Sequence, residues 1–467
     1  MSATRHLLIP VENQVRELDP KLLLACIAAR RGFTSVIGSR REMEMRIDSF
    51  PRSVYLSKSM TVRSLLFFWV AAKYGHEIIT WDEEALVHLP PETYFSRRLH
   101  PSAIRYVSHL FAWGEENAEL WRQYPDLPPG IPIHVTGNPR SDMLRPQMHP
   151  YYAADVAAIR REFGNFILVN TNFNHVNAFG ADMNLFKPAR RPGEKPRFGR
   201  AARGMRREYA EGLRDHKQAV MADFLRMIPL LEESFPEVTV VVRPHPTESH
   251  DAYRRIAEGC RRVKVTNQGN VVPWLLSARA LIHNGCTTGV EAFELGVPAL
   301  SYRATVDESY DNGFYRLPNA VSHNCFDFDE LRRTLRGVLD GAVGAPDTEE
   351  RRRLVRYHLA AHEGALACER ILDVLQREAT ETSPPRPLLR RLDGWVTSKG
   401  LHVLRQVKSI LPGSHNRPEF QRHRYPGMPL EEVAGRLTRF QQLIGDSTPL
   451  TVEPVTATIY RVRAARA

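Results

Sequence analysis

The stretch ALIHNGCTTGVEAFELGVPALSYR, Ala280 to Arg303, sets out a fold in miniature. An apolar strand, Ala280 to His283, runs into Asn284, Gly285, Cys286, Thr287, Thr288 and Gly289. A helix then starts, with Glu291 in its first turn, and Gly296-Val-Pro298 turns the chain sharply into a second apolar strand, Ala299 to Tyr302. Strand, helix and strand in close succession predict a parallel pair with a crossover helix. Small hydroxyl residues and glycines at such a helix start suit an anion, because free backbone N–H groups and the helix dipole converge there. A purely local role is also expected: Thr287 or Thr288 as N-cap, with Glu291 completing a capping box.

The same alternation extends in both directions. Upstream, strands are expected at Phe166–Asn170, Val238–Arg243 and Val263–Val265, and helices within Glu208–Glu233 and at Ala252–Cys260 and Val272–Ser277. An earlier series has strands at His6–Pro10, Thr34–Ile37, Val54–Leu56, Glu77–Trp81, His109–Ala112 and Ile133–Thr136. Helices are expected there at Pro20–Arg31, with Asp19 as N-cap, and at Thr61–Tyr74. The predicted class is α/β, with two doubly wound Rossmann-type domains facing an interdomain cleft. Residues 1–150 form the first, 151–380 the second, and 381–467 a basic extension, with Pro146–Tyr152 as linker. Residues 178–207, rich in Arg, Lys, Gly and Pro, are expected to be a mobile functional loop or disorder.

Composition narrows the class. The chain has 467 residues, 43% hydrophobic, enough for two cores and an appendage. Its five cysteines are scattered without a C-x-x-C pair, which fits a reducing cytoplasm and speaks against a zinc ribbon. The first residues, MSATRHLLIPVENQ, show no charged segment followed by an apolar one, so no secretory signal is expected. The longest apolar run, Leu65 to Ala72, falls far short of the ~20 residues that span a bilayer and reads as a buried helix. The net charge is +11, and residues 384–467 carry 14 Lys/Arg against 6 Asp/Glu. That surplus suits peripheral docking on anionic membrane at the inner face of the cytoplasmic membrane. Nucleic acid is disfavoured, since the basic residues lack interleaved aromatics.

Four further constellations sit at strand ends, where open parallel sheets bind ligands. In Val241-Val-Arg-Pro-His-Pro-Thr-Glu248, two prolines fix the presentation of His245 beside Arg243, both suited to phosphate oxygens. Asn170-Thr-Asn-Phe-Asn174 opens the loop after the second domain's first strand, where Asn170 and Asn172 are placed to contact a donor sugar or phosphate. Trp81-Asp-Glu-Glu84 puts three acids after a strand, as general base or carboxylate nucleophile, or with Asp82 merely capping a helix. Thr136-Gly-Asn-Pro-Arg-Ser-Asp142 breaks regular structure near the linker and leaves Arg140 towards the cleft. Cys286 reads as a small packing residue, since no base is specified to activate it.

Arg-Pro-His-Pro with its downstream Glu248, then His-Asn-Gly-Cys-Thr-Thr-Gly-Val-Glu-Ala and Gly-Val-Pro-Ala, resembles GT-B glycosyltransferases of bacterial surface polysaccharide synthesis. With the Thr-Gly-Asn-Pro-Arg-Ser-Asp and Asn-Thr-Asn-Phe segments, residues 5–375 look most like surface carbohydrate biosynthesis proteins, similar to the capsule and O-antigen (lipopolysaccharide) Kdo transferases. The resemblance implies that His245, Thr287 and Thr288 hold the donor phosphate and Glu291 the ribose hydroxyls. Arg243, Asn284, Gly289, Asn170 and Asn172 would join the same binding site. It implies an acid among Asp82, Glu83 and Glu84 as the nucleophile or base, with His245 assisting. Ala85 stands where the family has glycine, so the choice among the three stays open. Asn-Gly-Cys stands where the capsule enzymes tend to have Gln-Ser-Ser, which counts against CMP-Kdo itself. The expected activity is transfer of a sugar from a nucleotide donor, CMP-Kdo or a relative, to a surface glycan or its lipid-linked precursor, with no metal and no cofactor beyond the nucleotide-sugar substrate. The alternatives are a CDP-glycerol-type polyol-phosphate transferase, a sugar-nucleotide epimerase, and a non-catalytic membrane- or nucleic-acid-binding protein.

Overall fold

Every strand expected above forms, because continuous runs such as Phe166-Ile-Leu-Val-Asn170 are buried on both faces, as parallel strands must be. The structure is a computed structural model, which describes residues 5–189, 191, 193–311, 313–377, 400, 406–407, 410 and 417–465. The chain forms two compact α/β units, the doubly wound pair anticipated from the alternation. The first comprises Met1–Tyr151 with Arg356–Ala467, and the second Tyr152–Val355.

The first unit is an eight-stranded sheet. Its parallel part is β1 (Arg5–Val11), β2 (Phe33–Ser39), β3 (Val54–Ser57), β4 (Glu77–Thr80), β5 (Val107–Ala112) and β6 (Ile133–Val135). The order is β15-β16-β2-β1-β3-β4-β5-β6, with β15 (Leu450–Thr456) and β16 (Ile459–Ala464) as an antiparallel hairpin on the β2 edge. The segment expected as an appendage is therefore part of this sheet in its described portion. In Ile459-Tyr-Arg-Val462, Ile459, Tyr460 and Val462 are buried, and Ile459 joins the core with Leu8, Phe68 and Trp121. Several of its arginines are paired inside the fold: Arg424 with Glu12, Arg436 with Asp19 and Glu432, and Arg461 and Arg463 with Glu453. These four arginines are thus already paired. Residues 378–399 of the expected extension lie outside the described residues.

The first helix corrects another expectation. It runs Gln14–Arg30 with Pro20 inside, and Asp19 is no cap. Proline forgoes one backbone hydrogen bond, but the extra turn is held by Glu17, whose carboxylate accepts from Glu12 N at 2.9 Å and pairs with Lys21 one turn on. Asp19 instead accepts from the Tyr151 hydroxyl at 2.7 Å. The run Leu65–Ala72 lies in the helix Val62–Lys73 and buries Phe67, Phe68, Val70 and Ala71. Among the described residues, no helix is long and apolar enough to cross a membrane.

The second unit has six parallel strands in the order β11-β10-β7-β12-β13-β14. They are β7 (Phe166–Thr171), β10 (Thr239–Pro244), β11 (Val263–Val265), β12 (Ala280–His283), β13 (Ala299–Tyr302) and β14 (His323–Cys325). Residues 178–207 are ordered where described, against the expected mobile loop. β8 (Phe186–Lys187) pairs with β9 (Arg197–Phe198), and Leu185, Phe186 and Ala202 pack on Ala210 and Leu213 of the long helix Arg207–Ser234. Arg207 lies over both Phe186 and Phe198, so some of these arginines cover aromatic surface.

Thr136–Asp142 is a structural latch within the first unit. Asn138 Oδ1 caps the short helix Pro139–Asp142. The Asp142 carboxylate accepts from Ala367 N (2.7 Å) and Cys368 N (2.9 Å), at the start of the helix Ala367–Arg377. Burial pushes the Asp142 carboxyl up to about 6, against those two N–H groups. A raised carboxyl pKa means that the folded chain binds more protons than the unfolded one between pH ~4 and ~6. Stability conferred by this group is therefore full below pH 4 and falls as pH rises through 6, by about 3 kcal/mol for a shift of about two units. Urea unfolding from pH 4 to 7 should show this slope in the wild type and lose it in Asp142→Asn. Parallel wild-type and variant curves would refute the assignment.

Candidate functional site

One register row organises the carboxyl edge of the second sheet. Arg243 of β10 pairs with Asn170 of β7, Asn170 with His283 of β12, and His283 with Ser301 of β13. Asn284 and Asn172 follow just beyond. The Oδ1 atoms of Asn170, Asn172 and Asn284 are all buried and without a hydrogen-bond partner. Native proteins leave few buried polar atoms unsatisfied, so three at one sheet edge mark it as a candidate site.

His283 sits beneath the helix start. Its Nδ1 accepts from Gly285 N at 3.0 Å and its Nε2 lies 2.8 Å from Ser322 Oγ. Full burial lowers its pKa to about 3, so the ring is neutral. A Cβ on Gly289 would lie 2.7 Å from that Nε2, which is why glycine stands there. The helix Thr288–Glu294 begins on this support, with Thr287 as its N-cap residue and no side-chain cap hydrogen bond. The expected capping box is thus absent: the Thr288 hydroxyl is engaged by Cys286 Sγ at 2.7 Å, and Glu291 is buried. Burial raises the Cys286 thiol to about 11, consistent with packing and not with a thiolate nucleophile.

His245 is fixed as its prolines suggest. Its Nδ1 accepts from Thr247 N (3.3 Å) and lies 2.8 Å from Thr247 Oγ1, which places the neutral ring's proton on Nε2. Below it, buried Glu248 accepts from His245 N, Thr171 Oγ1 and Tyr253 OH, tying the loop to the end of β7. Sequence reasoning noted Glu248 only as the end of a motif and missed Tyr253 altogether. Arg243 corrects its expected role. Its guanidinium donates to Gln268 O (2.8 Å) and Gly269 O (2.5 Å) and stacks on Trp274, holding a loop in place. Burial lowers its pKa to about 10.

A small pocket, open to solvent, adjoins this edge. Asn284, Ser301, Lys217, Tyr315, Arg303 and Asp311 are among its lining residues. Only Asn284 among these was foreseen. The others come from distant segments, and nothing in their local sequence marks them.

The first unit's strand ends are closed by charge. Lys58 after β3 pairs with Glu12 (2.7 Å) and Glu17 (3.0 Å), and Lys21 reaches Glu17 (2.9 Å) and Glu83 (3.3 Å). Of the three candidate acids, Asp82 is buried and gripped by Arg98 Nε and the Tyr94 hydroxyl, both at 2.9 Å. Glu83 is buried and accepts from Trp81 Nε1 at 2.9 Å. Glu84 keeps 49% of its side chain exposed and pairs with Arg16 at 2.8 Å. Burial would raise its pKa, but Arg16, Arg98 and Lys58 outweigh that and hold it at about 2. Arg140 lies over the Trp113 ring, and Trp113 Nε1 donates to Asp82 O at 2.7 Å, so both serve this cluster's frame.

No family model and no curated protein matches the chain. Among solved structures, it is similar to a UDP-GlcNAc 2-epimerase of Methanocaldococcus jannaschii bound to UDP-GlcNAc and UDP. The TM-score is 0.49 at 11% identity, over 80% of this chain and 99% of that one. The wall teichoic acid polymerase TagF soaked with CDPG gives 0.49 at 11%, over 80% and 88%. The Neisseria meningitidis UDP-GlcNAc 2-epimerase bound to UDP-GlcNAc gives 0.46 at 12%, over 80% and 100%. At these scores the likenesses carry no argument about substrate.

The charge cluster separates structural from accessible acids. Glu17→Gln should cost about 3–5 kcal/mol, since it strips Lys21 and Lys58 of a buried partner. Glu84→Gln should cost no more than ~1 kcal/mol, as a half-exposed pair does. Chemical unfolding of both variants measures this, and equal losses would mean that Glu84 is as structural as Glu17.

Proposed function

We propose that the chain is a glycosyltransferase that takes a sugar from a nucleotide donor and passes it to a bacterial surface glycan or its lipid-linked precursor. The observation that carries the reading is the cluster of unpartnered Oδ1 atoms on Asn170, Asn172 and Asn284. They lie at the carboxyl edge of a doubly wound sheet, where ligands of such sheets bind. Acceptor oxygens of this kind suit ribose or sugar hydroxyls and base amino groups. His245, with its proton on Nε2, supplies a donor to a phosphate oxygen, and the helix start at Thr287 and Thr288 supplies backbone N–H groups. These groups would stabilise the charge that develops on the leaving nucleotide. The motif resemblance of Arg-Pro-His-Pro and Thr-Thr-Gly-Val-Glu-Ala supports the same class.

In the first unit, Glu84 is our candidate acid, because it is exposed while Asp82 and Glu83 are buried. A carboxylate held at about 2 is poorly matched to proton pick-up near neutral pH. It suits electrostatic stabilisation of positive charge better than proton pick-up.

Titration calorimetry with CMP, CDP, UDP and GDP tests the nucleotide site. One nucleotide should bind, and Asn284→Leu should weaken it about tenfold, the ~1–2 kcal/mol of a lost hydrogen bond. Absence of binding by all four, or an unchanged constant in the variant, overturns the reading. Release of free nucleotide from the matching nucleotide sugar, only when a glycan acceptor is present, separates transfer from epimerisation.

A further inference from the structure

The pocket beside Asn284 has a charge the proposed nucleotide contacts do not use. Lys217, on the long helix Arg207–Ser234, is half-buried and directs its ammonium to the Tyr315 hydroxyl, lying 5.0 Å over that ring. Among the described residues no carboxylate lies within ion-pairing distance of it, so an acid within the fold is not what holds it there. The other lining groups are balanced among themselves. Arg303 pairs with Asp311 at 3.1 Å, and Asp311 also lies 3.4 Å from His216 Nε2. Thr305 is engaged by Asp223, and Ser301 donates to Asn319 Oδ1 at 2.7 Å. The pocket therefore carries one uncompensated positive charge next to one unpartnered buried oxygen, that of Asn284.

Tyr315 is positioned for this by Gly285, where a Cβ would stand 2.5 Å from the tyrosine ring. The glycine that opens the turn after β12 thus lets the Lys217–Tyr315 pair close on the same edge as Asn284. An ammonium that faces a pocket with a hydroxyl partner but no carboxylate partner can pair with an anionic ligand there.

We propose that Lys217, with Tyr315 and Asn284, forms a subsite for a second anionic group of the substrate, a phosphate or a sugar carboxylate, apart from the phosphate expected at Thr287 and Thr288. The subsite rests on the reading of this sheet edge as the ligand site. It makes the chain selective for substrates with two anionic groups over neutral-sugar donors. Lys217 supplies the charge, the Tyr315 hydroxyl orients the ammonium, and the Asn284 oxygen accepts from a neighbouring hydroxyl of the same ligand.

The test uses the full chain with three probes: inorganic phosphate, pyrophosphate and glucuronate, each titrated calorimetrically into wild type, Lys217→Met and Lys217→Arg. At least one probe should bind the wild type, weaken tenfold or more in Lys217→Met, and recover most of its affinity in Lys217→Arg. A phosphate probe and the carboxylate probe separate the two sources of the charge. The melting temperature of Lys217→Met should stay level or rise, since an unpaired ammonium is removed. A fall would mark Lys217 as structural and overturn the proposal, as would equal binding of the probes by wild type and Lys217→Met, or no binding of any probe. If nucleotides bind and Lys217→Met leaves probe binding unchanged, the subsite fails while the nucleotide reading stands. If all four nucleotides fail and a probe still depends on Lys217, the anion subsite stands without that reading.

Discussion

The second unit turns on a buried imidazole that must stay neutral. His283 ends β12, is wholly enclosed, and has a pKa held near 3 by burial. It can be there only because Ser322 and the Gly285 amide satisfy its two nitrogens and because position 289 has no side chain. From this one packing solution the rest of the motif follows. The turn at Gly285 is pinned, the helix begins over the ring, and Asn284 is left with its oxygen unused. A charged or differently sized residue at position 283 would displace the helix start, and with it every group expected to meet the ligand.

Parallel sheets gather their strand ends at one edge, and the two units treat that edge in opposite ways. In the first, Glu12, Glu17, Lys21, Lys58 and Asp82–Glu84 fill it with paired charge, with Glu83 Oε2 left without a partner. Such networks are costly to desolvate and more costly to break, so they fix geometry more than they add stability. In the second, the edge is polar but incomplete, with acceptors lacking donors. The second edge carries unpartnered acceptors from three asparagines, while the first presents one exposed acid, Glu84.

How much of this was legible follows from the range of each signal. The parallel strands were readable because both-face burial writes itself as short apolar runs: FILVN, TVVVR, ALIH. The helix Gln14–Arg30 was read six residues short, since Asp19-Pro20 is a local start signal. What overrides it, the Glu17 contacts to Glu12 and Lys21, appears only when the helix is built. The β15–β16 hairpin was hidden by its charge: Arg461 and Arg463 pair with Glu453, while Ile459, Tyr460 and Val462 pack inward. The N-cap side of the expected capping box is missing, since the Thr287 side chain makes no cap bond.

Arg243 and Lys217 show why a cation's role is settled by its partners and not by its neighbours in sequence. Arg243 stands two residues before His245, the place where a phosphate ligand is sought. Yet two carbonyls and the Trp274 face already take up its donors and its charge. An arginine so engaged is a brace, since turning to a ligand would leave Gln268 and Gly269 without those bonds. Lys217 lies mid-helix in EYAEGLRDHKQAVMADF, where alternating charges read as a solvated face. Only the fold shows that its ammonium meets a hydroxyl, with no carboxylate among the described residues in ion-pairing distance. A flexible ammonium held there by a hydroxyl and a ring face keeps its charge available to an anion.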